Sequence, residues 1–174
     1  ITVDSQPGKG SQFTIRLCFP LASGPEEQEE ESLGWSGREE DFHGRRVLLV
    51  EDNELNQEIA ATILEEAGLE VAVAADGAQA VDMVRASAGS PYDLVLMDIQ
   101  MPVLDGYGAT RAIRGLEDPR LAGLPIIAMT ANAFEEDRQQ VLDVGMEGHL
   151  GKPIEIDKLM DMLGAVFSGA PLPG

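Results

Sequence analysis

From residue 45 to 168 short apolar runs and helical patterns alternate five times, and few architectures accept such an alternation. The runs fall at residues 47–50, 71–74, 94–97 and 126–129, with a weaker one at 149–151. They are continuously apolar rather than alternating, which marks strands covered on both faces. Between them lie helical patterns. The first puts Leu55, Ile59, Ile63 and Ala67 on one face and stops at Gly68, a natural C-terminal cap. Others run over about 78–86, 104–114 and 134–144, and the last spaces Ile156, Leu159, Met160, Leu163, Val166 and Phe167 as a core-facing stripe. Five such units predict an α/β fold, a doubly wound five-stranded parallel sheet with five helices and right-handed crossovers.

The middle run ends on a carboxylate. In YDLVLMDIQMPVLDG, Asp98 stands where the strand stops and a proline and glycine follow. An aspartate there either caps the next element or is a reactive group at the rim of the sheet. Ligands of open α/β sheets bind beyond the carboxyl ends of the strands, which favours the second reading. The other strands that could reach that crevice end in polar residues too: Glu51 and Asp52 after the first, Thr130 after the fourth, Lys152 after the fifth. Capping alone is a poor account of that set. Three carboxylates brought together raise one another's pKa unless a cation sits among them. An all-oxygen donor set without thiolate or histidine suits Mg²⁺ better than zinc. With the ion in place Asp98 stays ionised and can attack a phosphoryl group to form an acyl phosphate, while Lys152 and Thr130 bind equatorial oxygens.

The remainder of the chain has a different character. Residues 1–20 read as two strands around Pro7, Gly8 and Gly10, with Phe13, Ile15, Leu17 and Phe19 alternating in the second. Its GKGS is followed by a strand where a phosphate loop needs a helix, so it is a poor phosphate site. Residues 23–44 carry five glutamates among 26–31, several glycines, and few large apolar side chains, with Trp35 and Phe42 as the anchors. That composition buries too little to offset its ordering entropy and reads as a disordered acidic linker. Residues 169–174 read as a tail. With 31 acidic and 12 basic residues, the net charge of -19 argues against nucleic acid and anionic membrane as direct partners. No apolar run approaches the roughly 20 residues of a membrane span, and no signal peptide is visible. The lone Cys18 fits a reducing, cytoplasmic setting. A first residue other than methionine suggests a piece of a longer chain.

These motifs carry a resemblance. VLLVEDNELNQ, LVLMDIQMPVLDG, PIIAMTAN and GKPI, in this order, resemble the receiver domain of two-component signalling, over residues 45–168. The run from Asn53 to Gln57 and the MPVLDG loop most resemble receivers of hybrid sensor histidine kinases, whose ATP-binding domains end in strands like residues 1–22. Other nucleotide-binding boxes of that domain are absent from this sequence, so kinase activity is not expected of it. The resemblance implies a flavodoxin-like sheet of order 2-1-3-4-5 and a receiver that catalyses its own phosphorylation and dephosphorylation at Asp98. It implies Mg²⁺ held by Asp52, Asp98 and the carbonyl of Gln100, with Glu51 acting through water. It also implies a cis bond between Lys152 and Pro153, and Thr130 and Lys152 on the phosphoryl oxygens. His149 stands where the family usually has an aromatic switch residue, so it either swings with Thr130 or fills a half-buried site. The implied partner is a histidine kinase core or a histidine phosphotransfer domain docking on the first helix, with Leu55 and Ile59 as apolar anchors unless Ile59 faces the sheet. Two other readings compete: an interaction module with the fold but no chemistry, and a phosphatase of the haloacid dehalogenase type. The latter usually needs an aspartate where Gln100 stands.

Overall fold

The computed structural model describes residues 2–6, 8, 10–14, 16, 42–131 and 135–172, which divide into two compact units, one within 1–36 and one within 37–174. The first unit is a hairpin of β1 (Thr2–Gln6) and β2 (Gly10–Thr14), paired antiparallel from Thr2 opposite Thr14 to Gln6 opposite Gly10. Gly8 at φ 79° and Gly10 at φ 98° make the reversal, in a region that side chains with a Cβ seldom enter. Ile15, Leu17, Phe19, Trp35 and the glutamate run lie outside the described residues.

The second unit is built on a parallel sheet. Its strands are β3 (Arg46–Val50), β4 (Glu70–Ala74), β5 (Leu94–Asp98), β6 (Ile126–Thr130) and β7 (Gly148–Gly151), in spatial order β4-β3-β5-β6-β7. This is the expected order 2-1-3-4-5. Every residue of β5 and β6 is buried, as their unbroken apolar runs require. Edge strand β4 is partly exposed.

Six helices surround the sheet among the described residues: α1 (Glu54–Glu66), α2 (Gly77–Ala86), α3 (Gly106–Arg114), α4 (Pro119–Ala122), α5 (Glu135–Asp143) and α6 (Ile156–Ser168). The sixth, unexpected one is α4, a single turn capped by Asp118 with a proline at its start. Successive strand residues face opposite ways. On one face Leu48, Val50, Val95, Met97, Ile126 and Ala128 pack with Ala80, Val81 and Val84 of α2, Ala109 and Ile113 of α3, and Val141 of α5. Met129 and Met146 are core residues, as expected. On the other face, Ile127 lies near Met162 of α6, which together with Leu159, Met160 and Leu163 forms the buried side of that helix.

One open alternative is decided and one expectation needs correction. Leu55 and Ile59 are 63% and 52% exposed, while Ala60 and Leu64 are the residues of α1 that are buried. Ile59 therefore does not face the sheet. Phe42, assigned by composition to the acidic linker, is buried and meets the Phe167 ring edge-on at 5.5 Å between centroids. The packed unit thus begins before Arg45.

Candidate phosphoacceptor site

At the carboxyl edge of the sheet, chain geometry brings together residues far apart in sequence. Asp98 ends β5, Thr130 ends β6, Glu51 follows β3, and Lys152 follows β7. The ladder continues one step past the strands, because the Lys152 N–H donates to the Thr130 carbonyl at 2.8 Å. The peptide bond between Lys152 and Pro153 is cis, as expected.

Burial and charge meet here. Glu51 and Asp98 are 2% and 5% exposed, Thr130 is buried, and Asp52 is exposed. The ammonium of Lys152 bridges the two buried carboxylates, at 2.6 Å from Asp98 Oδ2 and 2.5 Å from Glu51 Oε2. The Gln100 N–H donates to Asp98 Oδ1 at 3.0 Å. It is thus the main-chain N–H of Gln100 that engages Asp98 here.

Burial pushes the Asp98 carboxyl above the ordinary aspartate range, although the hydrogen bonds from Lys152 and Gln100 pull it down. For Lys152 the balance reverses. Burial disfavours its ammonium, but hydrogen bonds to Asp98 and Glu51 outweigh that and raise its pKa.

Glu51, Asp52 and Asp98 each offer a carboxylate oxygen, all within 4.8 Å of one another. One lysine against three carboxylates leaves an excess of negative charge in a partly desolvated notch. Such a set could hold a hard divalent cation with oxygen ligands.

Behind Asp98 the backbone is packed tightly. A Cβ on Gly106 would lie 2.3 Å from the Asp98 carbonyl oxygen, so α3 can start this close to the strand end only with glycine there. Asp105 caps that helix through the Gly108 N–H, and the buried Thr110 hydroxyl donates to the Gly106 carbonyl. The loop from β5 to α3 turns at Val103, which has φ 68° and is flanked by a hydrogen bond from the Leu104 N–H to the Pro102 carbonyl.

The structure thus gathers Glu51, Asp52, Asp98 and Lys152, with Thr130 on the adjoining strand end. His149 is half-buried on β7 opposite Ala128, which by the pleat puts it on the same face as Thr130. Leu55 and Ile59 lie on the exposed side of α1, away from the carboxylates in bonding but close in sequence to Asp52. Sequence reasoning missed Asn56 and Gln57 as individual contributors: their side chains donate to Glu51 Oε1 and to the Glu51 carbonyl.

A family model described as the response regulator receiver domain matches residues 47–164. The chain belongs to the receiver family. It is 37% identical over 163 residues to the aerobic respiration control sensor protein ArcB of Escherichia coli K12, covering 94% of this chain and 20% of that one. The chain spans between 6% and 20% of the length of such curated relatives, several of them hybrid signal transduction histidine kinases. Among solved structures, the receiver domain of sensor histidine kinase PA1611 from Pseudomonas aeruginosa is 44% identical with a TM-score of 0.63, covering 72% of this chain and 98% of that one. That receiver has a magnesium ion coordinated in its active site cleft. The receiver of the Saccharomyces cerevisiae regulator Ssk1, crystallised with the histidine phosphotransfer protein Ypd1, is 30% identical at a TM-score of 0.61 and covers 67% of this chain and 84% of that one. This receiver is a domain of the two-component phosphorelay type. Among the described residues no helix is long and apolar enough to cross a membrane.

Proposed function

We propose that this receiver accepts a phosphoryl group on Asp98 from a phosphohistidine donor. The observation that carries the reading is the buried Asp98 carboxylate, set among Glu51, Asp52 and the Lys152 ammonium at the open edge of the sheet. An Asp98 carboxylate oxygen attacks phosphorus, the bond from phosphorus to the donor imidazole nitrogen breaks, and an acyl phosphate forms. Lys152 exchanges Asp98 Oδ2 for a phosphoryl oxygen, and the Thr130 hydroxyl donates to another. Glu51, Asp52, Asp98 and the Gln100 carbonyl would hold Mg²⁺, which when bound neutralises charge on the transferring group. Hydrolysis of the acyl phosphate returns the free carboxylate.

The added negative charge draws Thr130 inward and shifts the segment after it, so that β7, α5 and α6 carry the output. His149 fills a half-buried position beside this path. The donor is a histidine kinase core or a phosphotransfer domain. Exposed Leu55 and Ile59, one helical turn apart on α1, supply its apolar anchors. Residues 1–22 are read as the last strands of a kinase ATP-binding domain, residues 23–44 as the link to the receiver, and the setting as cytoplasmic.

Intact mass after incubation with acetyl phosphate tests the chemistry. A single phosphoryl adduct is expected with Mg²⁺, none with chelator and none in Asp98→Asn. With a phosphorylated phosphotransfer domain as donor, Ile59→Asp should slow uptake while leaving uptake from acetyl phosphate unchanged. An adduct that persists in Asp98→Asn overturns the assignment.

A further inference from the structure

Glu51 is held more completely than a water-mediated metal ligand at a strand end requires. Oε2 accepts from Lys152, Oε1 accepts from Asn56 Nδ2 at 2.9 Å, and the main-chain carbonyl accepts from Gln57 Nε2 at 2.6 Å. The two amides reach it for a geometric reason. Asn56 is the third residue of α1, and the Cα–Cβ bonds of a helix tilt toward its N-terminus, back over the end of β3. The Asn53 side chain in turn accepts from the Asn56 N–H at 3.1 Å, and the Asn53 carbonyl accepts from the Gln57 N–H at 2.9 Å. One asparagine fixes the backbone of the first turn, and another uses that turn to fix a carboxylate.

A glutamate has one more rotatable bond than an aspartate, so its carboxylate sweeps a wider arc unless a fixed donor holds it. Lys152 is not a lasting donor, because the proposed reaction moves its ammonium onto the phosphoryl group. Once it leaves, Asn56 is the side-chain donor that the described contacts leave on the Glu51 carboxylate. We infer that Asn56 is a positioning residue that keeps Glu51 aimed into the carboxylate cluster. It acts as the partner that the longer acidic side chain needs. The inference rests on the Mg²⁺ reading above, since the cluster is where Glu51 would act.

Calorimetric Mg²⁺ titration of the full chain tests it in a cycle of four proteins: wild type, Asn56→Ala, Glu51→Asp and the double variant. Groups that orient a metal's ligands typically contribute 10–100-fold to affinity, and the water-mediated role of Glu51 puts the expected loss for Asn56→Ala near the lower end, about tenfold. With aspartate at 51 the shorter carboxylate falls back from the amide, so the same substitution should change affinity less than about twofold. Urea unfolding in chelator separates positioning from folding: Asn56→Ala should lower the midpoint modestly, as loss of one hydrogen bond to a buried carboxylate does, and still be fully folded under the conditions of the titration. Equal losses in both backgrounds, or no loss with Glu51 present, would overturn the inference. A wild type that binds no Mg²⁺ sinks the metal reading itself, and this inference with it.

Discussion

Two charged clusters sit at opposite ends of the same sheet, and they are built on opposite principles. At the amino end, Arg114 of α3 donates from Nε to the Gly145 carbonyl and from one terminal nitrogen to the Ala122 and Leu124 carbonyls, each at 2.8 Å. Its other terminal nitrogen donates to both Glu147 oxygens at 3.0 and 3.2 Å, and Glu147 Oε2 also accepts from the Ile126 N–H at 2.6 Å. One cation meets one anion, and the planar fork of the guanidinium is used in full. At the carboxyl end, Lys152 faces Glu51, Asp52 and Asp98 with charge left over. The matched cluster joins α3, α4, β6 and the approach to β7 and leaves nothing for a ligand. The mismatched one leaves electrostatic capacity that a cation or a phosphoryl group can use. A polar cluster's stoichiometry, more than its burial, separates cement from chemistry.

Substitutions can break this contrast. Arg114→Ala should have the largest effect on stability, about 3 kcal/mol in urea unfolding, because it takes the donor from the Gly145, Ala122 and Leu124 carbonyls at once and the ion-pair partner from the partly exposed Glu147. Phosphoryl uptake by the folded protein should be nearly unaffected; a large loss of uptake would mean the two ends are coupled. Lys152→Met should cost less, roughly 1–2 kcal/mol in chelator, since Asp98 can take up a proton where an unpaired carboxylate would otherwise be buried. Mg²⁺ should recover most of that loss, and an equal loss with and without the ion would count against the surplus charge being a cation site.

The smallest effect is a pH dependence at the matched end. Burial raises the Glu147 carboxyl above its ordinary 4.5, against the pull of the Ile126 N–H and Arg114. The native state therefore holds this proton to higher pH than the unfolded chain does. The stability linked to it is fully present below 4.5 and is lost as pH rises through the raised native value. Unfolding free energies of the wild type relative to Glu147→Gln should fall across that window, and a flat difference would contradict the shift.

Much of the fold and part of the site were legible in the sequence, for a local reason. An unbroken apolar run such as 94–97 can be buried on both faces only in a covered strand, and helical spacing between such runs leaves little choice of architecture. The polar residues at the ends of β3, β5, β6 and β7 were legible too, since a parallel sheet carries all its carboxyl ends to one edge. Helix faces were less so. Leu55, Ile59, Ile63 and Ala67 look like one stripe, but four residues overshoot a 3.6-residue turn by about 40°, so the stripe winds around α1. The sheet chose Ala60 and Leu64 instead, leaving Leu55 and Ile59 in solvent.

Composition likewise assigned Phe42 to an acidic linker, because nothing local shows that Phe167 waits 125 positions away. The same holds for the links that make the site: Lys152 to Glu51 across 101 residues, and Lys152 to Asp98 across 54. By itself the sequence determined which elements form and which chemistries stand at their ends, because hydrophobic periodicity and strand polarity are properties of neighbouring residues. Only the tertiary structure decided which of those groups touch, how their charges balance and which apolar face of α1 stays open, because each depends on residues the chain brings together from afar.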